Sequence, residues 1–193
     1  DTINRLLADR GRPPLDLDDL VPQVNQLKAF IDLCHLYGMA VIFDVVYNHA
    51  GGFFGDEQNL YRFRDERGGE LYFSEDGWAG GLVFDFDNAG VRQFLIDNAR
   101  FVLDEYHADG FRYDEVSVID RFGGWRFCRD LTTTVKHHRP SSLHHAEFWN
   151  DQQYWAVRPT EENGAGFDTV LSPGFRDAVR HALEEAAAGR DAP

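Results

Sequence analysis

The chain has 193 residues, 43% of them hydrophobic and 27% charged, the balance of a soluble globular domain long enough to bury a core. Nineteen Lys and Arg against 33 Asp and Glu leave a net charge of −14 with no basic cluster, which argues against nucleic acid and anionic membrane surfaces as partners. No apolar run approaches the ~20 residues of a membrane span, and the first residues carry no signal-peptide pattern.

Residues 1–19, with Pro13-Pro14 and scattered charges, read as an irregular lead-in. From Pro22 the residues Val24, Leu27, Ile31 and Cys34 recur at helical spacing, with Phe30 alongside and Gly38 placed to end the helix. Residues 40–46 form a near-continuous apolar run, the signature of a parallel strand buried on both faces. Asp44 interrupts it and needs a partner, and Tyr47, Asn48 and His49 follow at the strand's C-terminal end. Residues 50–81 then make a Gly-rich excursion carrying Phe53, Phe54, Tyr61, Phe63, Tyr72, Phe73 and Trp78. That is far longer than the roughly two to six residues of an ordinary strand-to-helix loop. Its aromatic side chains suit either stacking on sugar rings or a small core beneath the loop.

Residues 82–87 alternate like a short strand, and Asp87 or Asn88 can cap a helix that runs to about His107. The strand at 110–114 comes next. Gly123 and Gly124 precede a helix with Trp125, Cys128, Leu131 and Val135 on one face, stopped by Pro140. Residues 143–147 read as a strand ending in Glu147, with Phe148 and Trp149 directly after it, and 167–171 as another. Ser172 and Pro173 open a last helix that Gly189 closes. Cys34 and Cys128 fall at apolar helical positions, so they read as buried free thiols in a reducing compartment, the cytoplasm.

Strands alternating with helices imply parallel strands with right-handed crossovers, in an open sheet or a (β/α)8 barrel. There is no Gly-x-Gly-x-x-Gly after a strand and no phosphate-binding loop, and polar residues stand at three successive strand ends, as in barrel enzymes. Four strands make about half of a barrel, whose usual length is ~250 residues.

Alternation along 110–114 puts Arg112 and Asp114 on one face and Phe111 and Tyr113 on the other. A neighbouring guanidinium keeps a carboxylate ionised, as a nucleophilic Asp requires; the same pair would equally serve as a structural ion pair. Glu147, beside Phe148 and Trp149, has the poorly solvated setting that suits a general acid. Two carboxyl groups in unlike environments facing one cleft form the retaining glycosidase arrangement. His145-Ala146-Glu147 matches the His-x-Glu of zinc deaminases, but the Pro-Cys-x-x-Cys partner is missing. His137, His138, His144 and His145 read as ordinary polar residues, and no metal is assigned to them.

Asp44-Val45-Val46-Tyr47-Asn48-His49, Gly110-Phe111-Arg112-Tyr113-Asp114 and Glu147-Phe148-Trp149 resemble, in order and spacing, three signature regions of the α-amylase family of glycoside hydrolases. Val83-Phe84-Asp85-Phe86-Asp87 resembles a fourth. The resemblance implies Asp114 as nucleophile, Glu147 as general acid/base and Arg112 as the partner of Asp114. His49 would hydrogen-bond the sugar at the cleavage point, Asp44 would organise the rim, and Trp149 would join them in binding substrate. It covers residues 15–193 as the third to sixth strands of the barrel, with 50–81 as a short inserted subdomain. The first two strands and the family's third carboxylate have no counterpart, which implies a piece of a longer catalytic domain that alone turns over glucan poorly and self-associates.

The implied substrate is an α-glucan or malto-oligosaccharide. Ser117-Val118 stand where α-amylases often carry Lys-His, which favours branching-type transfer over hydrolysis. A non-catalytic α-glucan-binding protein is the reading from another class. No cofactor is required. Calcium, held by Asn48 and Asp85 in many family members, is an option here even though Val118 replaces a usual further ligand.

Overall fold

The computed structural model describes residues 2–51 and 65–190. The chain runs α1 (Thr2–Ala8), α2 (Gln23–Leu36), β1 (Ile42–Val45), β2 (His49–Gly51), β3 (Phe73–Trp78), β4 (Gly81–Phe84) and α3 (Ala89–Glu105). It continues with β5 (Gly110–Tyr113), α4 (Val116–Arg121), α5 (Trp125–His138), β6 (Leu143–Ala146), α6 (Tyr154–Val157), β7 (Thr169–Val170) and α7 (Pro173–Ala187). Expectations that fall on Phe53, Phe54, Tyr61 and Phe63 lie outside the described residues.

Four parallel strands, in the order β1-β5-β6-β7, form the main sheet. Their register aligns Asp44, Arg112, His145 and Thr169 in one row across it. The opposite face, with Phe111, Tyr113, His144 and Ala146, is buried against the helices. Val91, Leu95, Ala99 and Leu103 of α3 and Phe127, Leu131 and Val135 of α5 supply much of that core. The helix boundaries follow local chemistry: Asn88 accepts from Gly90 N at 2.9 Å and Ser172 from Phe175 N at 3.3 Å. Gly38 and Gly189, at φ +75° and +69°, provide the left-handed residues after α2 and α7.

Several expectations require correction. Residues 1–19 are not wholly irregular, because Thr2–Ala8 is helical and Asn4 ties it to the following segment through Leu15 N (2.9 Å) and Leu15 O (3.1 Å). The apolar run at 40–46 is not buried on both faces. β1 lies at the sheet edge, and Ile42 and Val46 are 43% and 48% exposed on the face that bears Asp44. Only Ile31 of α2 is buried, while Val24, Leu27 and Phe30 stay exposed among the described residues. Among the described residues of and beside the excursion at 50–81, β2 and β3 flank β4 in an antiparallel sheet, with His49 opposite Val83. Cys128 is buried as expected, Cys34 only half so, and both are free. The short helices α4 and α6 carry no sequence signal strong enough to be anticipated.

Candidate active site

β5 ends in Arg112 and Tyr113, Asp114 follows directly, and alternation along the extended chain turns Arg112 and Asp114 to the same side. Arg112 Nη1 donates to Asp114 Oδ1 and to Asp44 Oδ1, each at 2.8 Å, while Nη2 lies 2.6 Å from Glu147 Oε2. One guanidinium therefore bridges carboxylates from the ends of three adjacent strands. Asp44 does find a partner, although its side chain stays 67% exposed.

Asp114 is the more constrained acid. Asn48, fully buried, donates from Nδ2 to Asp114 O at 2.8 Å and to Asp114 Oδ2 at 3.0 Å. Burial alone would raise the Asp114 pKa. Hydrogen bonds from Asn48 and Arg112, the Arg112 charge and a hydrogen bond with Glu147 outweigh it and hold the carboxyl below its usual range. His49 Nδ1 contacts Asn48 Oδ1, and burial, partly opposed by Asp114, lowers the imidazole pKa and favours the neutral ring.

The aromatic setting expected for Glu147 is a correction. Phe148 turns into the core, 2% exposed and 5.6 Å from the Trp125 ring, and Trp149 is 45% exposed at the rim. The Glu147 carboxylate instead faces Arg112 and the backbone N–H of Glu115, which donates to Oε2 at 2.9 Å. Consecutive residues leaving a strand point to opposite sides, so sequence neighbours are not spatial neighbours.

Asn48, Glu115 and Ser117 were not picked out as parts of this cluster. Asn48 reads from sequence as a polar residue at a strand end and, by resemblance, as a metal ligand, and no local pattern announces its contact with Asp114, 66 residues away. Glu115 adopts a left-handed conformation (φ +44°), unusual for a non-glycine residue, and its pKa is raised by burial and by the Glu147 and Asp114 charges against the opposing Arg112. Ser117 Oγ accepts from Trp149 N at 2.6 Å. His145, next to Arg112 in the row, pairs with Thr169 Oγ1 at 2.7 Å. His144, with Tyr113 OH and Ser142 Oγ each 2.9 Å from its ring nitrogens, is pushed down to about 4 by burial, opposite to the cluster. A cavity of about 810 Å³ between α3 and α5 contains none of these residues.

No family model matches the chain. It is 30% identical over 190 residues to the 1,4-α-glucan branching enzyme GlgB of Thiobacillus denitrificans, covering 83% of this chain and 24% of that protein. It is 32% identical over 158 residues to the malto-oligosyltrehalose trehalohydrolase of Saccharolobus solfataricus, covering 79% of this chain and 26% of that one. The fold matches the α-amylase of Geobacillus thermoleovorans, complexed with acarbose, at a TM-score of 0.59 and 25% identity, over 82% of this chain and 36% of that one. The chain belongs to the α-amylase family.

The parallel sheet is accordingly an arc of the family's (β/α)8 barrel, with the Asp44, Arg112, Asp114 and Glu147 side chains on its uncovered face. The chain spans about a quarter of the length of the branching enzyme it matches. The resemblance assigns calcium to Asn48 and Asp85, with Val118 where a further ligand is usual. The Asn48 oxygen is engaged by His49, Asp85 Oδ1 accepts from Asp87 N at 3.1 Å, and Val118 is buried and apolar. Among the described residues no group of three or more His, Cys, Asp or Glu side chains is arranged to hold a metal, and no helix is long and apolar enough to cross a membrane.

Proposed function

We propose that the full gene product is a retaining α-glucan-active enzyme in which branching-type transfer outweighs hydrolysis. The observation that carries the reading is Arg112 bridging Asp114 and Glu147, two carboxyl groups with different partners at neighbouring strand ends. Asp114, held ionised, attacks the anomeric carbon as the glycosidic C–O bond breaks. Oε2 of Glu147 already accepts from Glu115 N and is ion-paired with Arg112, which leaves Oε1 to deliver the proton to the departing oxygen. The resulting glycosyl-enzyme is resolved when Glu147, now a base, takes a proton from a sugar hydroxyl or from water. His49, Asp44, Arg112 and Trp149 contact the sugar around the cleavage point.

Transfer is favoured by the relatives named as branching enzymes and by Ser117-Val118; hydrolysis is the second reading, favoured by the α-amylase of similar fold. Amylose incubated with the full gene product should gain α-1,6 branch points by NMR with little rise in reducing ends. A rise in reducing ends without branch points would make it a hydrolase, and binding without turnover a glucan-binding protein. We assign no cofactor and a cytoplasmic location, the latter supported by two free thiols. Dialysis against EDTA should leave activity intact, and a loss restored by calcium would overturn the cofactor assignment.

A further inference from the structure

Glu147, Phe148 and Trp149 lie beyond the end of β6 in neither helix nor strand, yet they carry the acid and the exposed indole of the site. A segment of that kind keeps one conformation only through specific hydrogen bonds. Glu147 N donates to Tyr113 O at 3.0 Å, and Val116 N donates to Glu147 O at 2.8 Å. Glu115 N holds the Glu147 side chain, and Gln153 Nε2 donates to Phe148 O at 3.1 Å. For Trp149 the tether is the Ser117 hydroxyl, 2.6 Å from its backbone nitrogen.

Ser117 is well placed for this task. A serine in the first turn of a helix ordinarily turns its hydroxyl back on local backbone. Here α4 has no side-chain cap at its start, and the Ser117 oxygen reaches across to the neighbouring strand end instead. The left-handed Glu115 makes the geometry available: it ends β5 abruptly, aims its own N–H at Glu147 and starts α4 so that Ser117 lies beside Trp149. Such a conformation is strained for a residue with a Cβ.

The geometry points to Ser117 as a positioning residue that orients Trp149 for stacking on a glucose ring next to the cleavage point, an inference that rests on the α-glucan reading above. Glu147 keeps its own contacts with Tyr113, Val116, Glu115 and Arg112 whether or not Ser117 is present. Removing the hydroxyl therefore loosens the ring that binds sugar without moving the acid.

The test compares Ser117→Ala with Ser117→Thr, which keeps the hydroxyl, in the full gene product acting on maltoheptaose. Alanine should raise KM about three- to tenfold, the worth of one neutral hydrogen bond, with kcat and its pH profile unchanged. Threonine should restore the wild-type KM. Amide hydrogen exchange at Trp149, read by NMR, should quicken in the alanine variant alone. An active wild type whose alanine variant keeps both KM and Trp149 exchange overturns the inference by itself, as does a loss of kcat that threonine fails to rescue. A wild type that neither binds nor cleaves glucan defeats the functional reading and, with it, the role given to Trp149, even if the exchange result stands.

Discussion

Replacing Arg112 by lysine tests the site most directly. The guanidinium reaches Asp44 and Asp114 through Nη1 and Glu147 through Nη2, which a compact ammonium without the planar fork cannot do at once. The Asp44 contact counts for little, because that side chain is 67% exposed. Of the remaining two contacts lysine keeps one. Losing the other, a charge-assisted bond to an arginine side chain only 23% exposed, costs about 1.5–3 kcal/mol. At about 1.4 kcal/mol per decade, kcat/KM for maltoheptaose should fall roughly 10- to 100-fold. The pH profile supplies a second readout. Arg112 helps hold Asp114 below its usual range, so weakening that pair lets the Asp114 pKa rise and moves the acid limb of kcat/KM to higher pH. Wild-type kcat/KM together with an unmoved acid limb would reduce Arg112 to a structural ion pair.

Asp114→Asn and Glu147→Ala should each abolish nearly all turnover in the full gene product. Azide should restore only the Glu147 variant, on a substrate with an activated leaving group, and equal rescue of both would reverse the assignment. Gly110→Ala should lower the urea midpoint of this chain by the equivalent of about 1–3 kcal/mol, since overpacking of a tight site costs that much. A Cβ there would stand 2.1 Å from Leu143 O, so an unchanged midpoint would contradict the β5-β6 register. Because the folded-state pKa of Asp114 is depressed, its contribution is fully present above the unfolded value of about 4 and disappears as pH falls through the lower folded value. Urea unfolding across the acid range should lose that dependence in Asp114→Asn, and an equally steep curve would place the acid sensitivity elsewhere.

What the amino-acid order determined by itself is mostly what repeats along it. Apolar residues at helical spacing located α2 and α5, the cap at Asp87 or Asn88 located α3, Ser172-Pro173 located α7, and alternation in 110–114 set Arg112 beside Asp114. The motifs at Asp44, Asp114 and Glu147 pointed to the family before any geometry. Short elements escaped, because a helix as brief as α4 cannot offset its nucleation cost locally and is held by burial of Val116, Val118 and Ile119. The Gly-rich stretch before α3 hid an antiparallel sheet, since β2 pairs with β4 across residues far apart in the chain and the local β3-β4 hairpin has a shifted register.

Only the tertiary structure decided which side chains meet. Local periodicity says which face a residue occupies, whereas strand register chooses the partner opposite it. The pairing of Asp44 with Arg112 and of Arg112 with His145 carries the three strand ends to one guanidinium, and the turn after Asp114 brings Glu115 to Glu147 and Ser117 to Trp149. Sequence adjacency suggested an aromatic shell for Glu147. Strand geometry sent Phe148 into the core and left Glu147 facing Arg112, because successive side chains on an extended backbone diverge.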